Sequence, residues 1–221
     1  MRQPPTRSHP FNMSSSAPEL LAKPASAEHA IHELLSTRWS PRAYAADRPV
    51  EPELLAQLFE AARWAPSSSN EQPWSFIVGI KGNETWDKLF DTLVSFNQTW
   101  AKNAPVLVLG LARKVFQKNG SPNRHAMYDL GQAVSMLLVH ATSLGLITHQ
   151  MAGFDPEKAR AAFHVPDNYD IGAVIAIGYQ ADPTVLPPEL RERETAPRTR
   201  NSIGTFVFEG EYGKSAEFLK K

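Results

Sequence analysis

The apolar positions of this chain fall into runs with helical spacing and runs without it, and the two kinds predict its elements. In "PELLAQLFEAARW" the residues Leu54, Leu55, Leu58, Phe59 and Ala62 recur at the three- and four-residue intervals of one helix face. Pro52 suits the first turn of that helix, and "APSSSNEQP" breaks the pattern after Trp64. A shorter helix is expected behind Ser26, whose side chain can cap it, with Ile31, Leu34 and Leu35 at helical spacing. It ends before Pro41, because the residue preceding a proline is pushed to extended backbone. "WSFIVGI" reads as a strand and "KGNETWDKLFDTLVSF" as a turn leading into an amphipathic helix. "APVLVLGLA", residues 104–112, is apolar without alternation, as in a central strand covered on both faces.

The longest helix is expected over Met127–Leu144, about 27 Å at the usual rise, with Gly145 as its C-terminal cap. Met136, Leu137, Leu138 and Val139 are consecutive, so apolar side chains leave it in nearly every direction. Such a helix is either central within one subunit or packed against a second copy of the chain. Beyond it, "THQMAGFD" reads as a loop, followed by a helix to about Phe163 and a buried strand over Ile171–Tyr179. The Pro-rich "ADPTVLPPELRERETAPRTR" reads as a surface segment and "TFVFEG" as a last short strand. Helices segregate with a few strands without a βαβ rhythm, which gives an α+β class.

Residues 1–25 are rich in Pro and Ser and are expected to be a disordered or loosely packed leader to a single domain over 26–221. No stretch has the apolar character of a secretory signal or a membrane span, so a cytoplasmic protein is expected. With 221 residues and 42% hydrophobic content, the chain can fill one core. Lys plus Arg and Asp plus Glu both total 23, and a net charge of zero offers no overall attraction for nucleic acid or an anionic membrane. The absence of cysteine excludes disulfides, thiolate metal sites and a cysteine nucleophile. The seven histidines make no HExxH or similar ligand set, no GxSxG elbow is present, and "GKS" at 213–215 lacks the upstream glycines of a phosphate loop.

What remains is polar groups at the ends of apolar elements. Arg38, Ser40 and Arg42 form one cluster. Arg198 and Arg200 form another, on the same face of an extended segment. Forked guanidinium donors suit a phosphate, although either cluster could equally be a solvated patch paired with Glu192, Glu194 or Glu209. "APSSSNEQPWSF", residues 65–76, is a capped turn or the polar lining of a planar ligand.

Taken in order, Arg38-x-Ser40-x-Arg42, "APSSSNEQPWSFIV", "YDLGQAVSMLLVHATSLGL", "HQMAGFD" and Arg198-x-Arg200 resemble the nitroreductase family of flavin enzymes. The resemblance implies a mixed β-sheet flanked by helices, with the long central helix at a homodimer interface and two FMN sites formed there. It implies NADH or NADPH as hydride donor and a small-molecule acceptor, a nitroaromatic or a quinone, using the same flavin face in turn. By resemblance Arg38, Ser40, Arg198 and Arg200 hold the FMN phosphate and Arg42 lies near the pyrimidine edge. Pro66, Ser67, Ser68 and Asn70 come from the other subunit, and Asn97 is either a pyrimidine contact or a helix C-cap. Gly153 presents its backbone N–H to flavin N5, preceded by Ala152 where the family's well-known members carry glutamate, and Gln150 replaces a common proline. Phe116, Tyr128 and Phe154 are pocket walls or core aromatics. A flavin-dependent dehalogenase, a flavin-consuming enzyme and a non-catalytic flavin-binding dimer are the alternatives, the first two wanting a lid that "FQKNGSPNRH" is short to supply.

Overall fold

The computed structural model describes residues 20–219. Its elements are α1 (Glu33–Thr37), α2 (Pro52–Arg63), β1 (Trp74–Ile80), α3 (Glu84–Thr92), α4 (Ser95–Ala101), β2 (Val106–Arg113), α5 (Ala126–Ser143), β3 (Ile147–Met151), α6 (Pro156–Phe163), β4 (Tyr169–Gly178) and α7 (Pro188–Thr195). The strands form one sheet in the order β1-β2-β4-β3. The sheet lies between helices as expected, and each of its three pairings is antiparallel.

The unbroken apolar run of β2 decides the layering. Val106, Val108 and Ala112 face a core shared with α2 and α5, while Leu107, Leu109 and Leu111 face one shared with α3, α4, α6 and α7. Alternate residues of a strand point to opposite faces, so a strand without a polar face needs a helical layer on each side. Ile175 and Ile177 of β4 join the first core, Val174 and Ala176 the second.

The long helix ends as its sequence requires. Gly145 has φ 73°, and Leu146 N–H donates to Ala141 O at 2.9 Å, closing the last turn through a left-handed residue. Helix α5 is buried along one side only, through residues such as Leu130, Ala133, Leu137 and Ala141. On the other side Met127, Tyr128 and Met136 are 43%, 70% and 45% exposed. One chain therefore does not bury this helix all round.

Elsewhere local pattern and tertiary setting diverge. Helix α1 begins at Glu33, capped by His32 rather than Ser26, and Ile31 lies outside it. The chain before it forms no helix and bends at Glu28 and His29, with Ala25 N–H donating to Ser36 O at 2.8 Å. "THQM", expected in a loop, is the edge strand β3; its polar residues carry no apolar alternation, and its partner β4 supplies the order. The Pro-rich segment contains α7, with Pro188 in its first turn. "TFVFEG" forms no strand: Ile203–Thr205 is a 3-10 turn, and Phe208 makes one isolated bridge to Ser215. Residues 1–19 of the expected leader lie outside the described residues. Among residues 20–25, Leu21 O accepts from Gln180 Nε2, and Lys23 Nζ donates to Glu194 O at 2.7 Å. No helix among the described residues is long and apolar enough to cross a membrane.

Candidate functional site

Extended backbone following α1 carries Arg38, Ser40 and Arg42 along one end of the sheet. Two long-range contacts hold this segment. His149 on β3 presents Nδ1 to Ser40 O at 2.9 Å and Pro41 O at 3.1 Å, so this nitrogen carries the proton and donates it. Its ring also packs on Trp100, with centroids 4.6 Å apart. Burial, reinforced by Arg42, pushes the His149 pKa down to about 4 against the two carbonyl contacts, so the imidazole is neutral near pH 7. From α7, Glu194 Oε1 accepts the backbone N–H groups of Arg42 at 2.7 Å and Ala43 at 3.1 Å.

Arg38, Arg198 and Arg200 line a cavity of about 380 Å³ together with Asn201, Ile203 and Phe206. Burial, then the Arg200 guanidinium, lowers the pKa of Arg38; burial, then Arg38 and Arg200, lowers that of Arg198. Arg198 Nη1 donates to Lys23 O and to Ser36 O at 2.8 Å, latching the chain before α1. Among the described residues no carboxylate lies at ion-pair distance from any of the three arginines. Glu28 lines the same cavity without pairing with any of them, and three guanidiniums against one carboxylate favour an anion there.

At the far end of β3 the chain turns through Ala152 and Gly153. Ala152 is exposed. Gly153 O accepts from Val94 N–H at 3.1 Å and from Asn97 Nδ2 at 2.9 Å. A Cβ on Gly153 would stand 2.7 Å from Asn97 Nδ2 and 3.0 Å from Val94 Cγ2, so glycine permits this close approach. Asn97 lies within α4, whose C-cap is Lys102, so it is not the helix cap.

Pro66, Ser67, Ser68 and Asn70 are held elsewhere. Ser68 N–H donates to Asp129 Oδ2 on α5 at 3.1 Å, and Gln72 N–H to Ser67 Oγ at 3.0 Å. Ser69, Asn70 and Gln72 have φ of 54°, 55° and 49°, left-handed backbone uncommon outside glycine. The Glu71–Arg113 ion pair at 2.7 Å anchors the loop to β2. Pro66 lines a groove of about 640 Å³ along the exposed side of α5, with Met127, Tyr128, Gly131 and Met136.

Within one chain, then, Arg38, Ser40, Arg42, Arg198 and Arg200 gather at one end of the fold, and β3 links them through His149 to Ala152, Gly153 and Asn97. The Pro66–Asn70 loop bonds to α5 instead. Phe154 packs into the second core, Phe116 sits in a turn closed by its N–H to Ser121 O at 2.8 Å, and Tyr128 is on the α5 groove. Glu194, one of three carboxylates the sequence offered as partners for the arginine clusters, does pair with Arg42, at 3.6 Å and 152 residues away along the chain. Its bonds to the Arg42 and Ala43 N–H groups, and the parts of His149 and Asp129, were not legible in the sequence.

Fold and site together define an α+β sandwich with an arginine-lined cavity. More particularly, the chain belongs to the nitroreductase family, whose profile matches residues 35–95 and 81–179. A solved structure of an oxidoreductase containing FMN is similar with a TM-score of 0.80 at 34% identity, covering 86% of this chain and 96% of the other. An uncharacterized 15.4 kDa protein of Mycolicibacterium smegmatis is 36% identical over 145 residues, 62% of this chain and 97% of its own. An NADH dehydrogenase of Thermus thermophilus is 30% identical over 177 residues, 66% of this chain and 84% of its own.

Proposed function

We propose that the protein is a cytoplasmic, FMN-dependent oxidoreductase that takes a hydride from NADH or NADPH and passes electrons to a small acceptor such as a nitroaromatic or a quinone. The observation that carries this reading is the unpaired arginine cavity, on a chain of the nitroreductase family with a structural relative that contains FMN. The residues present fit that cofactor. Arg38, Arg198 and Arg200 match a phosphate monoester bearing nearly two negative charges, and the exposed Ser40, two residues after Arg38, would add a hydroxyl. Arg42 would lie by the pyrimidine edge, where positive charge favours electron-rich flavin. Asn97 has its Nδ2 engaged by Gly153, which leaves Oδ1 to accept a donor from the same edge. The backbone N–H of Gly153, with Ala152 before it, would face N5.

The second half of the site would come from another copy of the chain. The exposed apolar side of α5 supports a homodimer built on that helix, since contiguous apolar surface of this kind seeks a partner. Pro66, Ser67, Ser68 and Asn70, in the loop that Ser68 N–H ties to Asp129 near the start of α5, would then meet the neighbour's flavin.

When bound, FMN supplies the hydride acceptance and the onward electron transfer. The chain binds and orients the ring and sets the charge around it. His149 spends its one proton on two carbonyls, so it fixes the Ser40–Arg42 backbone rather than donating to a substrate.

The test is anaerobic mixing of FMN-reconstituted protein with NADH or NADPH. Yellow absorbance should bleach and return on adding a quinone, and initial rates should give parallel double-reciprocal lines. Clearly intersecting lines would exclude one shared face, and a protein that takes up no FMN would overturn the reading.

A further inference from the structure

Glu194 is 1% exposed and ranks with the largest fully buried side chains of the protein. Its Oε1 accepts two backbone N–H groups, of Arg42 and Ala43, while its Oε2 lies 3.6 Å from Arg42 Nη1. One carboxylate therefore bonds the backbone that carries Arg42 and stands at ion-pair distance, short of a hydrogen bond, from the guanidinium at its tip. A glutamine could accept the same two backbone bonds without bringing a charge into the interior, which is costly unless compensated.

The surroundings show where that charge acts. Arg42 is the guanidinium at ion-pair distance from it, and Lys23 bonds the main-chain carbonyl of Glu194 rather than its carboxylate. Tyr44 is buried nearby, its pKa raised by burial and then by Glu194, so the phenol stays neutral. His149, on the other side of the Ser40–Arg42 segment, is neutral near pH 7. Lys23 and Arg198 add positive charge at this corner, so Glu194 is a carboxylate opposing it, and Arg42 is the guanidinium within ion-pair reach of that carboxylate.

We propose that Glu194 is a positioning residue with an electrostatic part: it fixes the Arg42 backbone and its charge offsets the guanidinium, holding bound FMN at a lower midpoint potential than Arg42 alone would set. This rests on the reading that Arg42 faces FMN. Glu194 touches neither flavin nor substrate, and its influence passes through Arg42.

Three variants separate the two parts. Glu194→Gln keeps an acceptor for both backbone N–H groups and removes the charge. Its affinity for oxidised FMN should stay within about threefold, while reduced FMN gains on the order of tenfold over oxidised, a rise of about 30 mV for a two-electron couple. In an Arg42→Gln background the same substitution should move the potential much less, because its intermediary is gone. Glu194→Ala removes the backbone acceptor as well and should weaken oxidised FMN by tenfold or more. The readouts are dye-equilibrated redox titration and fluorescence titration with FMN. An unchanged potential in Glu194→Gln, or an equal shift with and without Arg42, overturns the electrostatic part. Undiminished FMN affinity in Glu194→Ala overturns the positioning part. Should Glu194→Gln fail to fold, Glu194→Asp keeps the charge but draws it back from Arg42 and from the two backbone N–H groups; it should lose affinity for oxidised FMN and raise the potential by less than about 30 mV, and undiminished affinity or a lowered potential there overturns the proposal. If the parent protein binds no FMN, the cofactor reading has failed, and this inference with it.

Discussion

Replacing Arg200 with alanine should weaken FMN while leaving stability and riboflavin affinity nearly unchanged, because this arginine gives the flavin-free fold little and a bound phosphate much. It is exposed, and among the described residues its hydrogen bond is to Thr199 O, one residue away at 2.7 Å. It also stands against Arg38 and Arg198, whose guanidiniums are both held below their ordinary pKa by burial and then by like charge. Its loss should therefore change the stability of the flavin-free protein by no more than about 0.5 kcal/mol, towards greater stability if at all. With FMN bound it would supply a charge-assisted hydrogen bond to the phosphate, about 1.5 to 3 kcal/mol. That corresponds to a Kd weaker by about tenfold to a hundredfold. Riboflavin has the same ring and no phosphate, so its affinity should stay within about twofold of the parent's, the size of a small indirect effect. Fluorescence titration with both ligands, beside urea unfolding of the flavin-free protein, measures all three quantities. Equal weakening of both ligands would place Arg200 away from the phosphate. A loss of more than about 1 kcal/mol in the flavin-free protein would show that it serves the fold instead.

Gly153→Ala drives a Cβ to 2.7 Å from Asn97 Nδ2, so the amide must give up its bond to Gly153 O; a cost of about 1 to 2 kcal/mol is expected in urea unfolding, and parental stability would contradict the packing described. Met136→Glu puts a charge on the exposed apolar side of α5 and should shift sedimentation from dimer to monomer with loss of FMN, whereas a flavin-loaded dimer would put the interface elsewhere. His149 has its folded pKa lowered from 6.5 to about 4, so the unfolded chain binds more protons between those values. The stabilisation from its neutral form is fully present above about pH 6.5 and is lost as pH falls through about 4. The parent should therefore lose on the order of 2 to 3 kcal/mol more than His149→Gln on acidification across that range, and identical pH profiles would refute this.

Much of the fold was legible because it depends on short-range pattern. The apolar stripe from Leu54 to Ala62, the two-faced strand in "APVLVLGLA" and the Gly145 cap each carry their instruction within a few residues, and α2, β2 and the end of α5 follow them. The order of Arg38-x-Ser40-x-Arg42, the serine-rich loop and Arg198-x-Arg200 was likewise visible, and with it the resemblance to the family to which the chain belongs.

The misses have one physical origin: those segments take their structure from distant partners. "THQM" lacks apolar alternation and becomes a strand because β4 offers an unpaired edge, and Ser26 caps nothing because its neighbour Ala25 is bonded to Ser36 O. The site depends on the same kind of contact. Sequence supplied the arginines, but only the tertiary structure brought Arg200 beside Arg38, set the neutral His149 ring under the Ser40 and Pro41 carbonyls, and buried Glu194 against Arg42. A charge acts through space at distances its neighbours in sequence cannot encode, so the arginines were readable and the side chains packed against them were not.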